Sequence, residues 1–290
     1  MKRIVLFVAT NIAIMIMISI VVGVFGFDRY LTRNGIDYPT LMVFSLVWGF
    51  GGAIVSLLMS RWMAKSAMGV RVVNGSTGNG ELDWLHQTVS SLARKAELPM
   101  PEVGIYDSPE VNAFATGPSK RSSLVAVSSG LMRSMRREEI EGVLAHEMSH
   151  IKNGDMVTMT LIQGVVNAFS IFLSRVLAGV FRRGDDRDSG SPVMMTFMLQ
   201  MVFSFLGMFI VAWFSRAREF RADAGAAVLS SRENMVAALQ RLAANKALVD
   251  TSQPQLATMK INGARGYMAL LSTHPPLEER IAALQRPTLR

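Results

Sequence analysis

No cysteine occurs among the 290 residues. Disulfides, zinc fingers, cysteine nucleophiles and cysteine-ligated clusters are therefore excluded. Charge is scarce as well. Asp, Glu, Lys and Arg make up 18% of the chain, below the usual quarter, which argues against a disordered or fibrous protein. Aromatic residues reach only 8% and interleave with no basic patch. The net charge of +8 therefore does not read as a nucleic-acid surface. Only four histidines are present, so a chance imidazole pair at metal-binding spacing is rare. What the chain has in excess is apolar: half of it is hydrophobic, including 21 Met, most simply fillers of spans and core.

Residues 4–27 and 40–60 carry no charge, and each is long enough to cross a bilayer core. The first run follows Lys2 and Arg3 as a signal peptide would. It is too long for one, and no small-residue cleavage site follows, so it reads as a permanent span. A third stretch, 157–174, contains Gln163 and Asn167 and ends at Arg175, which is expected to snorkel from near the end of the span. A fourth, 192–215, contains Gln200 as its one strongly polar residue. Arg61, Lys65 and Arg71 follow the second span, and Arg216, Arg218 and Arg221 follow the fourth. This bias places both termini and residues 61–156 on the cytoplasmic side. The expected division is two N-terminal spans in 1–60, a cytoplasmic domain in 61–156, a hydrophobic hairpin in 157–215 and a cytoplasmic C-terminal part in 216–290.

Within 61–156, residues 74–80 form a turn-rich linker. Leu82, Leu85, Val89 and Leu92 predict a helix ending near Pro99. Residues 103–106, 111–116 and 123–127 predict short strands. Ser134 is the expected N-cap of a helix with Glu138 and Glu139 in its first turn and Gly154 past its end. The fourth span should continue as helix to about Ser230, followed by a helix over 233–248 and a loop over 250–266. That loop is a candidate lid on composition. A last helix opens at Thr273-His274-Pro275-Pro276. The expected fold class is mainly α with a small β-sheet (α+β), in a multi-pass membrane protein.

The sharpest chemical signal is His146-Glu147-Met148-Ser149-His150. On a helix the two histidines share one face and can reach one Zn²⁺, while Glu147 can take a proton from a water beside it. Glu219 and Asp223, also four apart, share a face and offer a third ligand and a hydrogen bond to a ligand imidazole. The same spacing equally describes a solvated helix face. The charges flanking the motif (Arg136, Arg137, Glu138, Glu139, Glu141, Lys152 and Asp155) argue against its lying inside a span. His150 and Glu219 can share a metal only if the third and fourth stretches return the chain to one side. Counted along the helices, both then sit about 10 Å or less from the membrane surface.

Taken in order, H-E-x-x-H, the hydrophobic hairpin, E-x-x-x-D, Val111-Asn112-Ala113-Phe114-Ala115-Thr116-Gly117 and Thr273-His274-Pro275-Pro276-Leu277-Glu278-Glu279-Arg280-Ile281 resemble the HtpX family. That family comprises bacterial membrane metalloproteases related to the CAAX prenyl endopeptidases. The resemblance spans the whole chain. It implies a zincin-like zinc endopeptidase of the bacterial inner membrane, acting in stress response and quality control on misfolded or damaged membrane proteins at the cytoplasmic face. The resemblance further implies one Zn²⁺ per subunit held by His146, His150 and Glu219, with Glu147 as catalytic base and Asp223 supporting a ligand. Asn112, Ala113, Phe114 and Ala115, otherwise an ordinary core strand, become an edge that holds substrate by main-chain pairing. His274, otherwise a capping or surface residue, becomes an oxyanion donor or a resting fourth ligand. Arg280 becomes a positive charge for the oxyanion or for a carboxylate. The implied partners are protein substrates, the lipid bilayer and membrane quality-control proteins, with no nucleic acid. Two rivals stay open. A scaffold with structural zinc would fill all four metal positions and has no use for Glu147. A transporter normally needs ionisable residues in its spans, and Arg175 is the only one.

Overall fold

The computed structural model describes residues 37–182, 192–252 and 272–286. In chain order the elements are α1 (Tyr38–Met68), β1 (Arg71–Val72), α2 (Gly80–Lys95), β2 (Glu102–Tyr106), β3 (Ala113–Ser119), β4 (Ser122–Ser128), α3 (Ser129–Ser134), α4 (Arg137–Asn153), α5 (Asp155–Arg182), α6 (Pro192–Leu229), α7 (Arg232–Ser252) and α8 (Leu277–Gln285). The chain is mostly helical with one small mixed sheet, as the sequence pattern predicts. Its contacts divide it into two units, residues 1–55 with 160–208, and residues 56–159 with 209–290.

The first unit contains most of the apolar length of α1, α5 and α6, the three described helices long and apolar enough to cross a membrane. The expected span over 4–27 lies outside the described residues. The polar residues of the third stretch are satisfied internally. Gln163 donates to Asn167 at 2.8 Å, and Asn167 donates to the Gly49 carbonyl at 3.4 Å. Arg175 lies within α5, which continues through residues 176–181 to Arg182, and its guanidinium sits 5.0 Å from the Phe44 ring centroid, a cation–π contact.

The second unit is built on a four-stranded sheet of order β1-β2-β4-β3. β2 and β4 run parallel, and the other two pairs are antiparallel. β4 is buried along almost its whole length, with Leu124, Val125, Ala126 and Val127 at 0–1% exposure. Leu85, Val89 and Leu92 of α2 and Leu144, Met148 and Ile151 of α4 join Val125 and Val127 in the core. The helical spacing of those apolar residues is what turns α4 toward the sheet and α2.

Several boundaries differ from expectation, among them the last helix, which starts at Leu277 with Pro276 as its N-cap. Ser134 does not cap the motif helix. Residues 129–134 form a short helix of their own, capped by Ser128, and the chain re-enters helix at Arg137, with Arg136 as the N-cap. There Glu139 reaches back to accept the Arg136 N–H at 2.8 Å. β3 begins at Ala113 rather than at 111, because Ser128 Oγ accepts from the Asn112 N–H and donates to the Glu110 carbonyl, holding those residues in a turn. Of the expected loop, residues 250–252 belong to α7, and 253–266 lie outside the described residues.

Gly154 separates α4 from α5 at φ 70°, with its N–H directed to the carbonyls of His150 and Ile151. A Cβ there would meet nothing within 4 Å, so substitution costs backbone strain alone. Gly154→Ala should lower stability by about 1–2 kcal/mol, read by thermal unfolding. An unchanged midpoint would mean that the turn relaxes.

Candidate metal centre

α4 presents His146 and His150 one turn apart on a single buried face, at 7% and 9% exposure. Their rings meet edge to face at a centroid distance of 4.6 Å. α6 continues well beyond its apolar part and brings Glu219 and Asp223, both almost fully buried, against them. The two Nε2 atoms are 3.1 Å apart. Glu219 Oε2 lies 3.5 Å from His146 Nε2, and Oε1 lies 3.3 Å from His150 Nε2. One donor atom from each of the three residues falls within 4.8 Å of the others.

The opposite side of each ring is held by a carboxylate. His146 Nδ1 is 2.9 Å from Asp223 Oδ1, and His150 Nδ1 is 2.6 Å from Asp155 Oδ2. Both Nε2 atoms are thereby turned inward, the arrangement that orients and strengthens imidazole ligands. Asp155 is a residue the sequence pattern missed, because its charge reads as a flanking polar residue of the motif. The available signal was its place directly after Gly154. A left-handed cap folds the first residue of α5 back onto the last turn of α4.

α8 contributes Arg280, 5% exposed, whose Nε and Nη2 make a two-pronged bond to Asp223 at 2.8 and 2.6 Å. Its Nη1 is 3.4 Å from Glu219 Oε2. Of the alternatives raised by the sequence, the structure puts this cation on a carboxylate. His274, half exposed, reaches the cluster through Glu219 Oε2, 2.8 Å from its Nδ1. It is not one of the three converging donors. Glu147 is half-buried, and no hydrogen bond or ion pair holds its carboxylate among the described residues. Its charge acts on both imidazoles and on Arg280. Ala113, Phe114 and Ala115 lie on β3, with Asn112 just before it. β3 packs against α4 and pairs with β4 alone among the described residues, so its other edge carries no strand.

Burial works against charge on both histidines, yet their hydrogen bonds prevail. Asp223 and Glu219 raise the pKa of His146; Asp155 and Glu219 raise that of His150 to about 9. Metal entry therefore competes with the protons that these hydrogen bonds favour on the pair. The donor set fits a metal ion. Glu219 Oε1 is buried and faces His150 Nε2 at 3.3 Å and Arg218 Nε at 3.7 Å; two imidazole nitrogens and a carboxylate oxygen converging at such spacings are a donor set that zinc takes. Asp155→Asn removes the charge behind His150 and should weaken zinc affinity about 10–100-fold, measured by chelator competition. Affinity within twofold of wild type would rule out that support.

A profile of peptidase family M48 matches residues 80–288. Over nearly its whole length the chain also resembles curated HtpX proteases. It is 50% identical over 297 residues to the protease HtpX homolog of Methylacidiphilum infernorum, covering 98% of both chains. It is 50% identical over 298 residues to protease HtpX of Aeromonas hydrophila, covering 98% of this chain and 100% of that one. The chain belongs to peptidase family M48, in its HtpX group. This HtpX-group protein is thus a membrane metalloprotease. The crystal structure of S. mikatae Ste24p shares the fold, with a TM-score of 0.63 and 22% identity over 96% of this chain and 66% of that one.

Proposed function

We propose that this HtpX-group chain is a zinc endopeptidase that hydrolyses misfolded or damaged membrane proteins at the cytoplasmic face of the bacterial inner membrane. The observation that carries the reading is the convergence of His146, His150 and Glu219 beside an otherwise unbonded Glu147. Donors about 2.0–2.1 Å from a tetrahedral zinc lie roughly 3.3 Å from one another, which agrees with the 3.1–3.5 Å spacings of this cluster. One zinc per subunit, bound there, would polarise a scissile carbonyl and acidify a water.

The remaining chemistry belongs to the chain's own residues. A Glu147 carboxylate oxygen takes the proton of the attacking water and returns it to the leaving amine. Asp223 and Asp155 keep the imidazoles in register, and Arg280 neutralises Asp223. His274, bonded to Glu219, would serve a developing oxyanion or enter the metal shell at rest. The open edge of β3, from Ala113 to Ala115 with Asn112 before it, would hold an extended peptide through main-chain bonds, giving the loose sequence preference that quality control requires. The apolar helices anchor this chemistry beside the bilayer in the proposed division 1–60, 61–156, 157–215 and 216–290. The basic residues that follow the second and fourth apolar stretches favour a cytoplasmic site. Partners in membrane quality control belong to the same reading.

The test is cleavage of an unfolded membrane protein by the full chain in detergent. Activity should vanish on chelation and return with one equivalent of zinc per chain. Cleavage that survives complete metal removal would reject the mechanism, and a folded, zinc-loaded chain that cuts nothing would favour a structural role for the metal.

A further inference from the structure

The two helices that carry the converging donors meet at a position without a side chain. Gly225 of α6 faces Ser149 of α4, where an added Cβ would lie 2.6 Å from Ser149 Oγ and 3.0 Å from its Cβ. Those separations are shorter than packed atoms tolerate, so one helix or side chain would have to move. Ser149 has little room to yield. It is 1% exposed, and its hydroxyl is already turned back onto the Ala145 carbonyl at 2.8 Å. On the α6 side, Ala222 and Ala226 flank the contact at 0% exposure. The contact also lies close to the site. Ser149 falls between His146 and His150, while Gly225 follows Asp223 by two residues and Glu219 by six, about 9 Å along the helix.

We infer that Gly225 is a positioning residue for the metal centre. Its missing side chain sets the approach of α6 to α4 at which Glu219 and Asp223 reach the two histidines. This inference rests on the proposed role of His146, His150 and Glu219 as zinc ligands. Restoring ordinary contact, about 3.5–4.0 Å between carbon atoms, requires a shift of about 0.5–1 Å. Metal–ligand distances tolerate only about 0.2 Å. Close-packed helices move as units, so relief at Gly225 is transmitted to Asp223 and Glu219 on the same helix.

The test compares G225A, S149G and the double variant G225A/S149G in the full chain in detergent. Three quantities are read: zinc affinity by chelator competition, thermal unfolding of the metal-free protein, and kcat and KM separately. G225A should weaken zinc binding by about tenfold or more, the range seen when support behind metal ligands is lost. It should lower kcat more than KM changes and leave the metal-free midpoint within a few degrees. Moving the gap to the other helix should rescue it, with G225A/S149G recovering zinc affinity to within threefold of S149G. Zinc affinity in G225A within twofold of wild type, or a double variant no better than G225A, overturns the inference. If G225A does not fold, the double variant decides alone. Folding with near-S149G zinc affinity supports the contact, and failure of either overturns it. Failure of the underlying ligand assignment looks different: wild type and Glu219→Ala would then bind zinc equally.

Discussion

Glu147→Gln should retain one zinc per chain and lose about 10²–10⁴ of its peptide-bond turnover, the share a positioned general base contributes. The substitution keeps the side chain's size and removes only its ability to take a proton. Glu147 is not one of the three converging donors, so metal content should not change. No hydrogen bond among the described residues fixes its carboxylate, so no structural bond is broken either. Turnover and metal content should therefore separate cleanly. Retention of more than about a tenth of wild-type turnover, with zinc bound, would assign the proton transfer to another group. Parallel loss of zinc would mean that the carboxylate supports the site rather than the reaction.

Arg280→Met should be the most damaging single change to stability outside the apolar core. The side chain is 7% exposed and holds Asp223, 2% exposed, through two short bonds. Removing the cation leaves the buried Asp223 carboxylate with His146 alone, and breaking such a buried pair costs about 3–5 kcal/mol. It also frees Asp223 from the geometry that orients His146 Nδ1, so zinc affinity should fall along with stability. Because the pair is buried, added salt should restore little. Pairing Arg280→Met with Asp223→Asn removes the orphaned charge and should recover much of the stability while leaving zinc binding impaired. Denaturant unfolding of the metal-free and zinc-loaded chains measures both. A loss below about 1 kcal/mol in the single variant would show that water or a shifted side chain compensates Asp223.

Much of this architecture was legible in the sequence because its signals are local. Long uncharged runs announce membrane-crossing helices, and three of the four lie within α1, α5 and α6. The spacing of Leu82, Leu85, Val89 and Leu92 announces α2, and Gly154 announces the end of α4. His146 and His150 four residues apart needed only the helical repeat to share a face. Boundaries were less legible where neighbouring caps compete. Ser134 is a good cap in isolation, but it ends the short helix α3, and Glu139 secures the N-cap at Arg136, so that α4 starts at Arg137.

The sequence by itself therefore determined the helices, the small sheet and the residues able to carry metal chemistry, since those follow from periodicity and residue type. Only the tertiary structure decided what meets what. Glu219 lies 69 positions beyond His150 in the chain, and no spacing rule brings its carboxylate to the two imidazoles. The same holds for Arg280 on Asp223 and for Gly225 against Ser149. Each of these contacts depends on how helices far apart in the chain pack, and packing is settled by the fit of the whole core rather than by any local pattern.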